Sequence, residues 1–339
     1  MDNQIGTFWC RDILYKLFSL HYSLYMPFLT FSYINILGFL SFIVFLSQLS
    51  SGILLSIYYN DFFTIASDPI IYIIININNG WFIRILHVIG ASLFILLILL
   101  HLIRAIWIKL RIIYIKFITF IIIITGYLLF ILSMIEGFLG YLLCWGQMSY
   151  WGITVMINIV AVLPCCGIII AELIWSAAWV ILNRIFVYHF LIGSGISIFI
   201  LIHIILLHSF SSSNPSINNN TLIISSYPLL FKDLFGSFIT ITIMIILFLY
   251  WEPDILGNSD NSIIANPLIT PNNILPEWYY LLFHSCLRSF PNKTIGVILV
   301  LNILIMIITI LFIKKTLYRL ISRFSWNFYL HYFNSYFLV

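Results

Sequence analysis

Six apolar runs, each close to the length that crosses a lipid bilayer, are the feature that most limits what this chain can fold into. They occupy residues 34–58, 82–108, 117–139, 182–207, 235–251 and 294–313, of which 235–251 is the shortest. A membrane-spanning helix needs about 20 mostly apolar residues. Charged residues make up only 8% of the chain, whereas a soluble domain carries about 25%. The sequence therefore predicts an all-α, polytopic membrane helix bundle of six helices, or seven if the aromatic stretch 320–339 begins another.

Two histidine pairs lie inside these apolar runs. His87 and His101 are fourteen residues apart in the second run, and His189 and His203 are fourteen residues apart in the fourth. Fourteen residues are close to four helical turns, so the members of a pair face the same side about 21 Å apart along the axis. A single buried histidine is most often an ordinary core residue. Two equal pairs at bilayer depth, where ionisable groups are costly and usually functional, predict two metal centres stacked across the membrane.

The distribution of basic residues predicts the membrane face near each centre. The N-terminus, the loops after the second and fourth runs, and the tail after the sixth run hold eleven basic residues, against four on the other face. By the positive-inside rule we assign the basic-rich face as the inner one. Both histidine-bearing helices then pass from the outer to the inner face. His87 pairs with His189 at the outer level and His101 with His203 at the inner level, because crossed pairs would be about 21 Å apart in depth.

Two histidines per metal are typical of a haem that transfers electrons. Imidazole on both axial positions leaves no open position for oxygen. The sequence has no CxxCH attachment signature, so we expect two non-covalent b-type haems. Arg84, Arg104 and Arg184 lie close to the histidines in sequence, and their guanidinium groups are candidates to pair with haem propionates. The alternative for these arginines is that they extend to the membrane interface.

Four glycines repeat the fourteen-residue spacing. Gly38 and Gly52 lie in the first run, and Gly126 and Gly140 lie in and just after the third. Small residues of this kind also allow close helix–helix packing, which is the simpler interpretation. Since the histidine pairs share the interval, we interpret the glycines as clearance for a flat macrocycle at both haem levels. The first four runs would then form a four-helix bundle around two haems.

A series of motifs matches one family. In chain order they are GWFIRILHVIGAS (Gly80–Ser92), GYLLCWGQMSYWGITV (Gly140–Val155), SSSNP (Ser211–Pro215), EPDILGNSDN (Glu252–Asn261), ANPLITP (Ala265–Pro271), PEWYYLLF (Pro276–Phe283) and LRSFPNK (Leu287–Lys293). From about Gly38 to about Lys314 the chain closely resembles cytochrome b, the haem and quinone subunit of ubiquinol–cytochrome c oxidoreductase, respiratory complex III. The equal histidine spacings and the continuous chain resemble the respiratory rather than the chloroplast type.

The resemblance implies a quinol-oxidation pocket on the outer face. Its residues would be Trp151, Gly152, Ile153, Glu277, Trp278 and Tyr279. Quinol oxidation releases protons, so Glu277 is the candidate proton acceptor and Tyr279 its hydrogen-bonding partner. The simpler alternative is that Glu277 is an acidic residue at a helix start, with Pro276 as the first helical residue. Ile153 occupies a position that is small in many relatives, so inhibitor binding there would differ.

The resemblance also implies a quinone-reduction pocket near the inner haem, formed by His208, Ser212, Lys232 and Asp233. Asp233 beside Lys232 offers a proton donor and a relay. The alternatives are an interfacial histidine at His208 and a surface ion pair of small energetic value at Lys232 and Asp233.

The family's mechanism is a Q cycle coupled to proton translocation. Ubiquinol at the outer pocket gives one electron to an iron–sulfur partner and the other to the outer haem; that electron passes to the inner haem and reduces ubiquinone. The expected partners are a Rieske-type iron–sulfur subunit, a cytochrome c1-type subunit, other complex III subunits and membrane lipid, in a homodimeric complex with no nucleic acid. The expected location is the mitochondrial inner membrane, with an organelle gene.

Three organisational expectations complete the interpretation. Residues 1–208 would form the di-haem bundle, 209–234 an inner-side loop, and 235–339 the quinol-pocket region. Cys144 stands where the family usually has proline, which would loosen the bend after the third helix. The family normally continues through one or two more helices beyond the position of Val339.

The alternative functions are another bis-histidine di-haem membrane oxidoreductase, such as an ascorbate-linked reductase, and a haem-free transporter. Neither explains both the motifs and the equal spacings.

Overall fold

Long helices dominate the computed structural model of the chain. It describes residues 26–27, 36–59, 68–109, 117–163, 166–174, 178–209, 223–224, 226–250 and 257–312. The helices in this part of the chain are α1 (Leu37–Tyr58), α2 (Asp68–Asn76), α3 (Gly80–Lys109), α4 (Phe117–Leu142), α5 (Gln147–Val160), α6 (Gly167–Ile174), α7 (Ala178–Ser209), α8 (Ser226–Tyr250), α9 (Leu281–Arg288) and α10 (Lys293–Phe312). Two-residue strands β1 (Met26–Pro27) and β2 (Ile223–Ile224) pair antiparallel, and short 3-10 helices cover Ser259–Ser262 and Trp278–Tyr280.

The all-α membrane bundle is confirmed. Each of the six apolar runs forms a long helix, and α1, α3, α4, α7 and α10 contain stretches long and apolar enough to cross a membrane. Large apolar side chains such as Ile103, Leu191 and Ile198 point outward from these helices, as lipid-facing residues do. The stretch 320–339 lies outside the described residues.

Helix α8 begins at Ser226, so residues 226–234 of the predicted inner-side loop 209–234 are helical. Pro228 is one of the residues that favour a loop in the sequence. Proline is tolerated in the first turn of a helix, where its missing N–H would have no intrahelical partner. Pro228 therefore lies inside the helix start instead of ahead of it.

Helices α1, α3, α4 and α7 form a bundle of two packed pairs. Helix α1 packs along α3, and α4 packs along α7. The pairs meet in a buried cluster that includes Val44 and Phe45 of α1, Phe94 of α3 and Ile196 of α7. The aromatic rings of Phe45 and Phe94 lie 5.7 Å apart between centroids. This packing fixes the rotation of each helix and hence the direction of its polar side chains.

The C-terminal elements pack onto the bundle. Helix α8 contacts α1 and α3 so closely that a Cβ on Gly236 would lie 2.6 Å from Cδ1 of Ile36. Helix α10 contacts α3 and α4, where the hydroxyl of Tyr127 donates to the carbonyl oxygen of Leu304 at 2.9 Å. The division into 1–208, 209–234 and 235–339 stays a prediction.

Candidate functional site

The outer histidines face each other across the bundle. The rings of His87 on α3 and His189 on α7 have centroids 6.3 Å apart and planes at 89°. Two imidazoles that bind one metal from opposite sides, with metal–nitrogen bonds of about 2 Å, have ring centres about 6 Å apart. The spacing of the outer pair would therefore suit two imidazoles that hold one metal between them. At the other level, His101 and His203 lie within electrostatic reach of each other.

Hydroxyl groups contact Nδ1 of two histidines. Oγ of Ser51 lies 2.9 Å from Nδ1 of His87 and donates its own proton to the carbonyl oxygen of Ser47 at 2.7 Å. Oγ1 of Thr125 lies 2.9 Å from Nδ1 of His203 and likewise donates to a backbone carbonyl. A hydroxyl that donates to the backbone carbonyl has its oxygen free to accept from Nδ1–H. This arrangement would leave Nε2 unprotonated and available as a metal ligand.

The third histidine has a carboxylate neighbour. Oε1 of Glu136 on α4 lies 2.9 Å from Nδ1 of His189. Nδ1 of His189 makes no hydrogen bond among the described residues, so the contact with Glu136 is electrostatic. A carboxylate beside Nδ1 favours the tautomer with the proton on Nδ1, which leaves Nε2 as the candidate metal ligand. Nδ1 of His101 is buried and has no hydrogen-bond partner among the described residues.

Each of the four repeated glycines faces the imidazole of one histidine. A Cβ would lie 3.1 Å from Cε1 of His101 at Gly38 and 3.2 Å from Cε1 of His87 at Gly52. It would lie 3.1 Å from Cε1 of His203 at Gly126 and 2.9 Å from Cε1 of His189 at Gly140. The atoms that approach these glycines most closely thus belong to the histidine rings, so the shared interval reflects direct helix-to-imidazole contact. These four close contacts suit residues that hold a metal-binding imidazole ring in one orientation.

A methyl group at Gly140 should displace His189, the candidate outer ligand. We expect Gly140→Ala to weaken binding at the outer haem level by about tenfold, the lower end of what loss of ligand orientation costs. The inner level should be unaffected. The measurement is the haem content of the purified protein, resolved by redox titration. Gly195→Ala is the matched control, because a Cβ there meets nothing within 4 Å; an equal loss in both variants would contradict the contact.

The three arginines differ in their surroundings. Nη2 of Arg84 lies 4.0 Å from Sγ of Cys144, and its Nε is buried without a partner among the described residues. A buried, unsatisfied guanidinium nitrogen is costly, so Arg84 fits a role in binding an anionic group. Arg104 is partly buried near the end of α3, whereas Arg184 is exposed and donates to the carbonyl oxygen of Leu173 at 2.6 Å. Arg184 is therefore committed to the backbone of α6 in this conformation.

A clamp joins the start of α5 to the loop that precedes PEWY. The backbone N–H of Gln147 donates to the carbonyl oxygen of Ile263 at 2.9 Å. Oδ1 of Asn261 accepts from the backbone N–H of Ser149 at 2.8 Å and from its hydroxyl at 2.9 Å. Gly146 permits the approach, since a Cβ there would lie 1.9 Å from the carbonyl oxygen of Asn261. The segment after α4 is thereby held to the loop that leads to PEWY.

Three polar groups in this region lack partners. The hydroxyl of Tyr141 and the indole N–H groups of Trp151 and Trp278 are buried and make no hydrogen bond within the described part of the chain. Buried donors normally find a partner, so these groups indicate a place for a polar ligand. A Cβ on Gly152 would meet nothing within 4 Å, which indicates open space beside Trp151.

Ile153 is a core residue, unlike its neighbours Trp151 and Gly152. It is 1% exposed and packs in a core cluster with Leu142, Leu182 and Ile185. Its side chain thus joins α5 to α4 and α7.

Glu277 and Tyr279 lie in a largely apolar setting beside α4. Burial raises the pKa of Glu277 to about 7. Burial, and then the nearby charges of Tyr280 and Glu277, raise the pKa of Tyr279 above its usual range. The Tyr279 hydroxyl would be 3.0 Å from a Cβ on Gly137, which places this segment against α4. Glu277 is the N-cap of the 3-10 helix Trp278–Tyr280, so it lies at a helix start as the alternative predicted, although the first helical residue is Trp278 and not Pro276. Its side chain makes no cap hydrogen bond, and a position at the helix start is compatible with the proposed role of the carboxylate.

The structure describes only part of the predicted quinone-reduction pocket. Lys232 is 4% exposed on the part of α8 that packs near Ile36. Burial lowers its pKa, and the charge of Asp233 opposes that shift. His208 falls in the last turn of α7, but its side chain and Ser212 lie outside the described residues.

Several contact residues have no role predicted from the sequence. Ser51 and Thr125 lie outside the motifs and carry no distinctive spacing, whereas Gln147 and Asn261 lie inside motifs, and only the structure shows their contacts. Glu136 did carry a signal, because an acid inside an apolar run is unusual.

The chain matches known proteins over nearly all of its length. Residues 21–211 match the family model described as Cytochrome b/b6/petB, and residues 264–339 match that described as Cytochrome b(C-terminal)/b6/petD. The chain is 37% identical over 327 residues to the cytochrome b of Phytophthora megasperma, covering 93% of this chain and 84% of that protein. Its fold resembles a chain of a solved hyperthermophilic respiratory Complex III, with a TM-score of 0.74, 24% identity, and coverage of 92% of this chain and 81% of that chain. This chain belongs to the cytochrome b family.

Proposed function

We propose that this chain transfers electrons across the membrane from ubiquinol to ubiquinone as the two-haem subunit of a respiratory complex III. Family membership implies haem binding, and the finer proposal is that His87 and His189 hold one b-type haem and His101 and His203 another. The observation that carries it is the 6.3 Å separation of the outer imidazole rings, which suits two axial ligands. When bound, the haems supply a one-electron path between the two faces.

The chain's own residues hold these groups in place. Acceptors on the Nδ1 side keep Nε2 unprotonated in His87, His189 and His203, which orients each ring as a metal ligand. We assign the propionate-binding role to Arg84 first, since its Nε has no partner among the described residues, and to Arg104 and Arg184 as predicted from sequence. The glycines opposite the rings prevent other rotamers by close packing.

The proposed outer pocket oxidises quinol between α5 and the PEWY segment. The unpartnered groups of Tyr141, Trp151 and Trp278 offer hydrogen bonds to the quinol oxygen atoms. Above about pH 7 the carboxyl of Glu277 is ionised and can accept a proton from the bound quinol. The inner pocket is proposed at His208, Ser212, Lys232 and Asp233, where a lysine and an acid can deliver protons to reduced quinone.

A spectrum and titration of the purified protein test the proposal. We expect a reduced-minus-oxidised spectrum with two low-spin b-type components that titrate at distinct potentials, and haem that can be extracted without breaking a covalent bond. A quinol-analogue inhibitor of the outer pocket should shift one component. One component, or none, would contradict the proposed function.

The raised pKa of Glu277 predicts how the rate of quinol oxidation depends on pH. Because its raised pKa keeps the carboxyl protonated below about pH 7, quinol oxidation should increase as the pH rises through 7 and the carboxylate forms. We expect Glu277→Gln to remove that increase and to lower the rate at pH 8 by about a hundredfold or more. Steady-state quinol oxidation from pH 5.5 to 8.5 measures both effects. The control is Glu172→Gln, an exposed acid on α6; an unchanged pH profile in Glu277→Gln would exclude the role.

The proposed partners are a Rieske-type iron–sulfur subunit, a cytochrome c1-type subunit and a second copy of the complex, in the mitochondrial inner membrane. The support is family membership and the name of the solved assembly that contains the structural relative. Purification of the complex from mitochondria with identification of its subunits by mass spectrometry tests this part separately.

A further inference from the structure

Glu136 is an acidic side chain on a membrane-spanning helix, and it contacts a proposed haem ligand. Its Oε1 lies 2.9 Å from Nδ1 of His189, and the two side chains are 19% and 21% exposed. Helix α7 leaves room for the carboxylate at Gly193, where a Cβ would lie 2.8 Å from Oε1. The packing of α4 on α7 therefore fixes the acid against the ligand.

Within the described residues, no acidic side chain forms an ion pair with His87, His101 or His203. The Nδ1 atoms of His87 and His203 face the neutral hydroxyls of Ser51 and Thr125. Among these contacts, a carboxylate faces a proposed ligand only at the outer level. The two proposed haems thus have different electrostatic surroundings, although their histidine and glycine spacings are the same.

We propose that Glu136 is a positioning residue that lowers the reduction potential of the outer haem. The inference rests on the proposed ligation by His87 and His189. A carboxylate beside Nδ1 makes the imidazole a stronger donor to the metal. Its negative charge also favours the oxidised metal, which carries one more positive charge, and the effect is strong where water is largely excluded.

The proposed difference in reduction potential between the two haems favours the proposed direction of electron transfer. A lower potential at the outer haem than at the inner one makes electron transfer from the outer to the inner level favourable. The path in that direction leads from the pocket at Glu277 towards Lys232. Glu136 would therefore contribute to the driving force without touching quinol.

The test is Glu136→Gln in the intact complex, which removes the charge while keeping size and an acceptor oxygen. Loss of a partner of this kind changes metal affinity by about 10-fold to 100-fold. We expect the equilibrium between oxidised and reduced outer haem to shift at least about tenfold towards reduction, a rise of about 59 mV for one electron. Potentiometric titration of both components, with the electron paramagnetic resonance spectrum of each, gives readouts besides activity.

The matched control is Thr125→Val, which removes the neutral acceptor of His203 and should leave the outer potential unchanged. Glu136→Ser supplies a second neutral variant and the same expected rise, and it decides the question if the glutamine variant loses the outer haem. An outer potential equal to that of the unmodified protein, with both components present, would overturn the role of Glu136. Absence of the outer component from the unmodified protein would instead overturn the proposed function.

Discussion

A His203→Ala variant is expected to lose the inner haem completely while it keeps the outer one. The imidazole of His203 lies opposite Gly126 and is held by Thr125, so alanine removes both a ligand and its packing. The outer ligands are on a different level of the same helices, about four turns away. The purified variant should therefore show one b-type component instead of two, with half the extractable haem.

The complementary variant is His189→Ala, which should leave only the inner component. His284→Ala is the control, since this histidine lies on α9 and is not among the proposed ligands. Retention of both components in either ligand variant would refute the pairing. Loss of both components with a folded helical protein would also refute it, because the two levels would then not be independent.

Gly146→Ala should separate quinol oxidation from haem binding. The new methyl group would lie 1.9 Å from the carbonyl oxygen of Asn261 and 2.6 Å from its carbonyl carbon. Backbone atoms cannot make room by changing rotamer, so the loop must move away from α5. That movement breaks the bonds from Gln147 to Ile263 and from Ser149 to Asn261, and it opens the proposed pocket.

We expect quinol oxidation in Gly146→Ala to fall by about a hundredfold, the cost of a displacement on the order of 1 Å in a reacting geometry. Both haem components should remain, because the proposed ligands lie on α3 and α7. The measurements are steady-state quinol oxidation and the redox titration of the same sample. Gly195→Ala, with open space at its Cβ, should match the unmodified protein in both. Normal quinol oxidation in Gly146→Ala would contradict the clamp.

The local pattern of the chain predicted its helices well. Apolar runs form six long helices because burying the backbone in lipid requires helical hydrogen bonding. The predicted loop 209–234 overlaps the start of α8, because Pro228 lies in the first turn of that helix, where proline is permitted. The fourteen-residue spacings were informative because helical geometry converts sequence separation directly into depth and direction. The pocket was placed by resemblance more than by spacing, since PEWY and the segment after α4 are far apart in the sequence.

The sequence by itself thus determined the membrane bundle, the faces that carry the histidines and glycines, and the levels at which they lie. Tertiary structure alone decided that Glu136 contacts His189 while hydroxyls contact His87 and His203. It also decided that Ile153 is buried in the core and that Asn261 clamps α5. The reason is physical: a helical repeat fixes which residues share a face, but contacts between helices depend on their relative rotation. That rotation is set by the packing of many side chains from distant parts of the chain.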